Sequence, residues 1–334
     1  MVVRIIEYRQ LAQILAMFMV VQFLGLLLAV LVYAQVPLLQ PTNVAPAQVA
    51  SSAATGLYFI AYIVAFAFII ILITRRLHGD LFFLIFEGVA IFASVFFFLL
   101  IAVSVLNGTV LPTINAFFFL DGPFLTIPFF AALLGGIAIV VAKNKWPRLR
   151  NAVAIIASVG VGVILGLGFS FLTALVFTAI LAVYDFIAVF ITKHMITIAK
   201  AASSKNLAFL VSVSEIEAVP ENMLGKRDLA EYKKERNQLK KSNPVVKHII
   251  ESDMVPLAAR IDLGTGDLAV PLMVAISAVN ATGNFLLSMF VIIGAIGGLI
   301  LTMFILRKYK RALPAIPPLF LGMGIAIIAY LLIP

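Results

Sequence analysis

Long apolar runs alternate with short polar breaks along this chain. A helical membrane span needs roughly 17–25 apolar residues, and nine runs reach that length: 11–33, 56–74, 81–105, 123–142, 152–171, 173–192, 261–282, 284–306 and 314–333. The fifth and sixth are separated only by the neighbourhood of Ser170 and Thr173, so one longer broken segment is the competing reading there. Residues 198–258 form the extended polar segment. Within it, AFLVSVS (208–214) alternates and is β-branched, which suits a short strand. GKRDLAEYKKERNQLKKS (225–242) reads as a solvated helix or as disorder. A largely flexible cytoplasmic loop is the plain reading of the whole segment. No internal repeat is evident, unlike transporters built from duplicated halves.

Composition supports the membrane reading. Hydrophobic residues make up 63% of the 334 and charged ones 12%, too little polar surface to cover a water-soluble domain. The net charge of +9 would suit nucleic acid in a soluble protein. Here the placement of the charges decides otherwise. All 24 Lys and Arg fall on one side of the nine-span plan: Arg4 and Arg9, Arg75 and Arg76, Lys143 to Arg150, Lys193 to Arg260, and Arg307 to Arg311. The opposite loops carry none. The positive-inside rule then places the N-terminus in the cytoplasm and the C-terminus outside. The expected fold is an all-α polytopic membrane protein with nine transmembrane helices, in the cell membrane. Residues 1–197 hold the first six helices, 198–258 the loop and 259–334 the last three. Arg4, Arg9 and the run ending Val32-Tyr33-Ala34 resemble a signal peptide, but the run is longer than a usual signal core. With no cysteine, disulfides, thiolate metal sites and a cysteine nucleophile are excluded.

Three acids fall inside the spans: Glu87, Asp185 and Asp267. A carboxylate in hydrocarbon is costly, which makes each a functional candidate. Asp185 lies eight residues before Lys193, roughly 12 Å inside at helical rise, and Asp267 seven residues after Arg260, roughly 10 Å inside. They share a layer. If their helices pack, the pair holds one proton between them, because two close carboxylates resist joint ionisation. One partner can then take a proton from water while the other donates to a scissile carbonyl oxygen. The alternative is an interhelical hydrogen bond that only joins helices. Glu87 lies roughly 9–10 Å inside its span, and a hydrogen bond to a neighbour is its simplest reading.

Helix-disrupting residues surround the same layer. Pro271, four residues after Asp267, leaves the Asp267 carbonyl without its helical donor. Gly264 and Gly266 weaken the helix and admit a close backbone. Broken backbone at membrane depth borders a wet cavity or protein, and a hydrolase needs water. In LPAIPPL (313–319), Pro314, Pro317 and Pro318 disturb the ninth span unless Pro314 is its first helical residue. Backbone groups freed there could pair with an extended substrate; a proline-initiated, kinked helix is the other reading.

These residues resemble the presenilin and signal peptide peptidase group of intramembrane aspartyl proteases. Its marks are a Tyr-Asp pair in the sixth span, Gly-x-Gly-Asp in the seventh and Pro-Ala-Leu in the ninth. Here they stand as Tyr184-Asp185, Gly264-Thr265-Gly266-Asp267 and Pro314-Ala315-Ile316, with Ile316 in place of leucine. The resemblance implies catalytic Asp185 and Asp267, supported by Tyr184, Gly264, Thr265, Gly266, Pro314, Ala315 and Ile316. In the family, the position held by Thr265 is thought to influence substrate preference. The resemblance also implies that a single-span membrane substrate enters laterally from the lipid and is partly unwound, with no cofactor or metal. The orientation looks like the presenilin branch. The length suggests a compact prokaryotic or archaeal relative without obligatory partners, and leaves a homo-oligomer open.

Rival chemistries lack their residues. There is no H-E-x-x-H for a metalloprotease. His78, His194 and His248 lie at span ends or in the loop, unsuited to an intramembrane serine protease. Prepilin peptidases typically follow Gly-x-Gly-Asp with lysine, whereas Leu268 and Ala269 follow here. From another class, a proton- or cation-coupled transporter would use Glu87, Asp185 and Asp267 as relays, with Asn280 and Asn284 lining a path. A scaffold would use the acids only to fix helix pairing.

Overall fold

The computed structural model describes residues 2–35, 80–110, 126–191, 210–220, 254–309 and 314–333. Helices α1 (Val2–Gln35), α2 (Asp80–Leu106), α3 (Ile127–Lys145), α4 (Arg150–Gly168) and α5 (Phe171–Phe186) come first. Strands β1 (Leu210–Pro220) and β2 (Met254–Gly264) form a two-stranded sheet, followed by α6 (Thr265–Thr282), α7 (Phe285–Tyr309) and α8 (Ile316–Leu331). Among the described residues, seven helices are long and apolar enough to cross a membrane, and α8 is a shorter apolar helix. The run expected at 56–74 lies outside the described residues, as does 225–242. Two expectations change. The fold is mostly helical rather than all-α, and residues 261–264 end a strand rather than begin a helix.

The chain divides into two compact units, Met1–Ala16 with Ser212–Asp262 and Met17–Val211 with Leu263–Pro334. Most of the sheet belongs to the first. The strand expected at 208–214 runs from Leu210 to Pro220, and in it Val211 and Val213 are buried at the spacing of two that a strand requires. Pro256 is tolerated because both strands of a two-stranded sheet are edges.

The second unit is built around α6. Every residue from Leu268 to Val279 is buried, so this apolar helix must be enclosed on all sides. Glycines let its neighbours approach: a Cβ on Gly25 of α1 or Gly162 of α4 would overlap Leu272, and one on Gly166 would overlap Ile276. Helices α5, α7 and α8 also pack on it. Between α7 and α8, Gly294 meets the Gly322 backbone and Gly298 meets the Pro318 carbonyl, the small-residue contact by which helices associate in lipid.

The break between α4 and α5 is real. Phe169 is extended, and the Ser170 Oγ caps α5 by accepting from the Thr173 N–H at 3.2 Å. The fifth and sixth runs are therefore two helices.

Helices α2 and α3 are joined through Phe92, Phe96 and Phe129 and by a buried ion pair. Lys143 Nζ lies 2.7 Å from Glu87 Oε1, with side chains 7% and 2% exposed. Glu87 thus has a charged partner, beyond the simple hydrogen bond expected of it. Removing one member of a buried pair strands the other charge, at about 3–5 kcal/mol. Lys143→Met should lower the thermal midpoint in detergent, and adding Glu87→Leu should recover most of the loss. An unchanged midpoint in the single variant would show that the pair carries no stability.

Candidate active site

Asp185 is the penultimate α-helical residue of α5, directly before a π-helical turn at Ile187–Ile191. Such turns often mark functional positions, because they widen the helix and release backbone groups. Asp185 is 9% exposed. Its Oδ2 accepts the backbone N–H of Ile316 at 3.4 Å, and the Ala315 backbone also bonds the carboxylate. These donors exist because helix α8 starts at Ile316 with Ala315 as its cap, leaving first-turn N–H groups without intrahelical partners. Pro317 and Pro318 fall in the first turn, where no N–H is required. The helix is regular with Pro314 outside it, contrary to expectation. The Ala315 and Ile316 amides, at the start of α8, are given to Asp185.

Asp267 occupies the third position of α6 and is part-buried. Its Oδ2 accepts the Gly264 N–H at 3.2 Å, closing the first turn from within. Since 261–264 are extended, at roughly 3.3 Å per residue, the helical rise used to estimate its depth does not apply there. A Cβ on Gly264 would come within 3.1 Å of the Asp267 carboxylate, so this glycine makes room for the acid. Gly266 is exposed, and a Cβ there would meet nothing, so no backbone makes the close approach expected at it. The Thr265 carbonyl accepts from Ser158 Oγ at 3.2 Å. Thr265 and Gly266 border a cavity of about 140 Å³ together with Ala90, Ser94 and Ser158.

The helices that carry the two aspartates, α5 and α6, pack on each other. Each carboxylate faces a helix N-terminus, Asp267 that of α6 and Asp185 that of α8, where backbone N–H groups compensate negative charge. Tyr184 is part-buried next to Asp185 and within range of its charge. Pro314 is buried at the mouth of α8. Glu87 is engaged with Lys143, and Asn284 is exposed and caps α7 through Leu286, so neither extends a relay from the aspartates. Among the described residues, no three His, Asp or Glu side chains gather to hold a metal ion. His78, His194 and His248 lie outside the described residues.

Residues 15–333 match the family described as signal-peptide peptidase, presenilin aspartyl protease. The chain belongs to this family. Ten solved chains are similar to it, among them one titled as a presenilin family intramembrane aspartate protease. That chain shares 19% identity and the fold, at a TM-score of 0.56 over 96% of this chain and 98% of the other. No curated protein matches. As a family member the chain is an intramembrane aspartyl protease, a multi-pass hydrolase that acts on transmembrane substrates. The transporter reading gains no support from these comparisons.

Sequence reasoning missed Lys143 as the partner of Glu87, Ser158 as a donor to Thr265, and Gln22, whose Nε2 donates to the Leu268 carbonyl at 3.0 Å. The available signal for Gln22 was an amide inside an apolar run, costly unless bonded.

Pro271 lies inside α6, buried, and removes the donor that the Asp267 carbonyl would otherwise meet. Pro271→Ala should restore that bond and lower turnover more than stability, by about tenfold in kcat. Unchanged turnover would make the missing bond incidental to catalysis.

Proposed function

We propose that Asp185 and Asp267 are the catalytic dyad of this protease, hydrolysing peptide bonds inside transmembrane segments. The ionised acid takes a proton from water, and the protonated acid donates to the scissile carbonyl oxygen. The observation carrying this reading is that the helices bearing two acids 82 residues apart (185 to 267) pack on each other, with each carboxylate bonded by backbone N–H groups. Ala315 and Ile316 orient Asp185, Gly264 orients Asp267, and Pro314 sets the start of α8. Tyr184 borders the pair. Thr265 and Gly266 line the open side where an unwound, single-span substrate lies. No cofactor or nucleic acid takes part.

The experiment is incubation of purified protein with a transmembrane peptide, products read by mass. Asp185→Asn and Asp267→Asn should each reduce cleavage at least about 10²-fold, with the thermal midpoint retained. Wild-type activity should fall at low pH, where both acids are protonated, and at high pH, where both are ionised. Cleavage at the wild-type rate by either variant would exclude the dyad, and a flat pH profile would count against proton sharing.

The nine-span arrangement in the cell membrane, N-terminus cytoplasmic, belongs to the same proposal. Direction supports it: Ser158, Gly162 and Gly166 of α4 meet Thr265, Leu272 and Ile276 in turn, and Gln22 and Gly25 of α1 meet Leu268 and Leu272. α1 and α4 therefore run parallel to α6, as first, fifth and seventh spans must. In this cysteine-free chain, Asn107→Cys and Asn284→Cys should react with an impermeant thiol reagent outside intact cells, and Trp146→Cys should not. Labelling in the opposite sense would reverse the topology.

A further inference from the structure

We propose that Gln22 of α1 is a positioning residue for Asp267. Gln22 is 2% exposed, and its Nε2 donates to the carbonyl of Leu268, the residue directly after the acid, at 3.0 Å. The contact is in register with its surroundings. Gly25, one turn on, faces Leu272, one turn on from Leu268, so the amide reaches α6 at a place where the helices are drawn close.

The first turn of α6 needs outside support. Gly264 and Gly266 flank Thr265, and Pro271 leaves the Asp267 carbonyl without a donor from its own helix. Side chains from two other helices hold the carbonyls on either side of the acid. Ser158 of α4 donates to Thr265 O at 3.2 Å, and Gln22 of α1 to Leu268 O. The Ser158 hydroxyl has one proton, shared between Ala154 O at 2.8 Å and Thr265 O at 3.2 Å, so its hold on Thr265 is the weaker of the two. Gln22 gives one of its two Nε2 protons to Leu268 O, at the shorter distance of 3.0 Å.

The other end of Gln22 makes the case against simple packing. Its Oε1 is buried without a hydrogen-bond partner. A leucine or methionine would fill the volume without burying an unsatisfied acceptor. The amide is explained by its donor. It fixes the Leu268 carbonyl, and through one peptide unit fixes the height and rotation of Asp267 relative to Asp185. Catalytic geometry is sensitive to such placement, since a shift of about 1 Å costs roughly 10²-fold in rate.

This inference rests on Asp267 being catalytic. In the transmembrane-peptide assay, Gln22→Met should lower kcat about tenfold or more while KM stays within twofold of wild type (roughly, as ground-state binding is untouched). Gln22→Glu supplies the same shape but donates only when its carboxyl is protonated. Its activity relative to wild type should therefore be highest at acid pH and fall as pH rises. Wild-type kcat in Gln22→Met, or a Gln22→Glu ratio constant with pH, overturns the role. If Gln22→Met does not fold, the Gln22→Glu ratio, measured within one folded preparation, still decides. The two readings fail separately. Retained cleavage in Asp267→Asn removes the dyad, whereas an inactive Asp267→Asn beside a fully active Gln22→Met removes only the positioning role.

Discussion

An acid in hydrocarbon persists only where something meets its charge, and this protein meets its three intramembrane acids in two ways. Glu87 has a cation, Lys143, and with it forms a link between α2 and α3. Asp185 and Asp267 have backbone N–H donors and each other, and among the described residues neither has a cation within ion-pair distance. Two carboxylates facing helix N-termini and one another can pass a proton between them and to a reacting group. The acids differ in their partners: a lysine for Glu87, backbone amides for the proposed dyad.

The remaining architecture serves to hold those two termini still. α6 is enclosed along its length by α1, α4, α5, α7 and α8, and glycines at Gly25, Gly162 and Gly166 let the neighbours close on its leucine and isoleucine side chains. Its first turn is built loosely, from glycines and a proline-freed carbonyl, and is steadied from outside by Gln22 and Ser158. α8 is pinned to α7 through Gly294, Gly298 and Gly322, which sets where its capping amides meet Asp185. The packed helices thus carry two helix starts whose N–H groups are given to Asp267 and Asp185.

Much of this was legible in the residues. Apolar runs marked each of the eight described helices, although α1 begins nine residues before its run, because lipid demands length and uniform apolarity from any span. The strand near 208–214 showed in its β-branched alternation, although its extension to Pro220 did not. The two aspartates were visible as costly residues in hydrophobic surroundings. Residues 261–264 misled, because Ile261 and Leu263 beside the apolar run that follows look like helix when only hydrophobicity is weighed. They are the end of β2, and the helix waits for Thr265. The prolines of α8 misled similarly: read as damage to a span, they occupy a turn that has no hydrogen bonds to lose.

What the sequence determined by itself is therefore local or statistical: which segments are long and apolar enough to cross a membrane, where the basic residues fall between them, and which acids stand out as expensive. The tertiary structure alone decided that Ile316 bonds Asp185, that Lys143 neutralises Glu87 and that Gln22 reaches Leu268. The physical reason is that a hydrogen bond or ion pair between helices depends on the rotation and height of both. Those are set by glycine contacts and helix starts far along the chain, and no window of neighbouring residues records them.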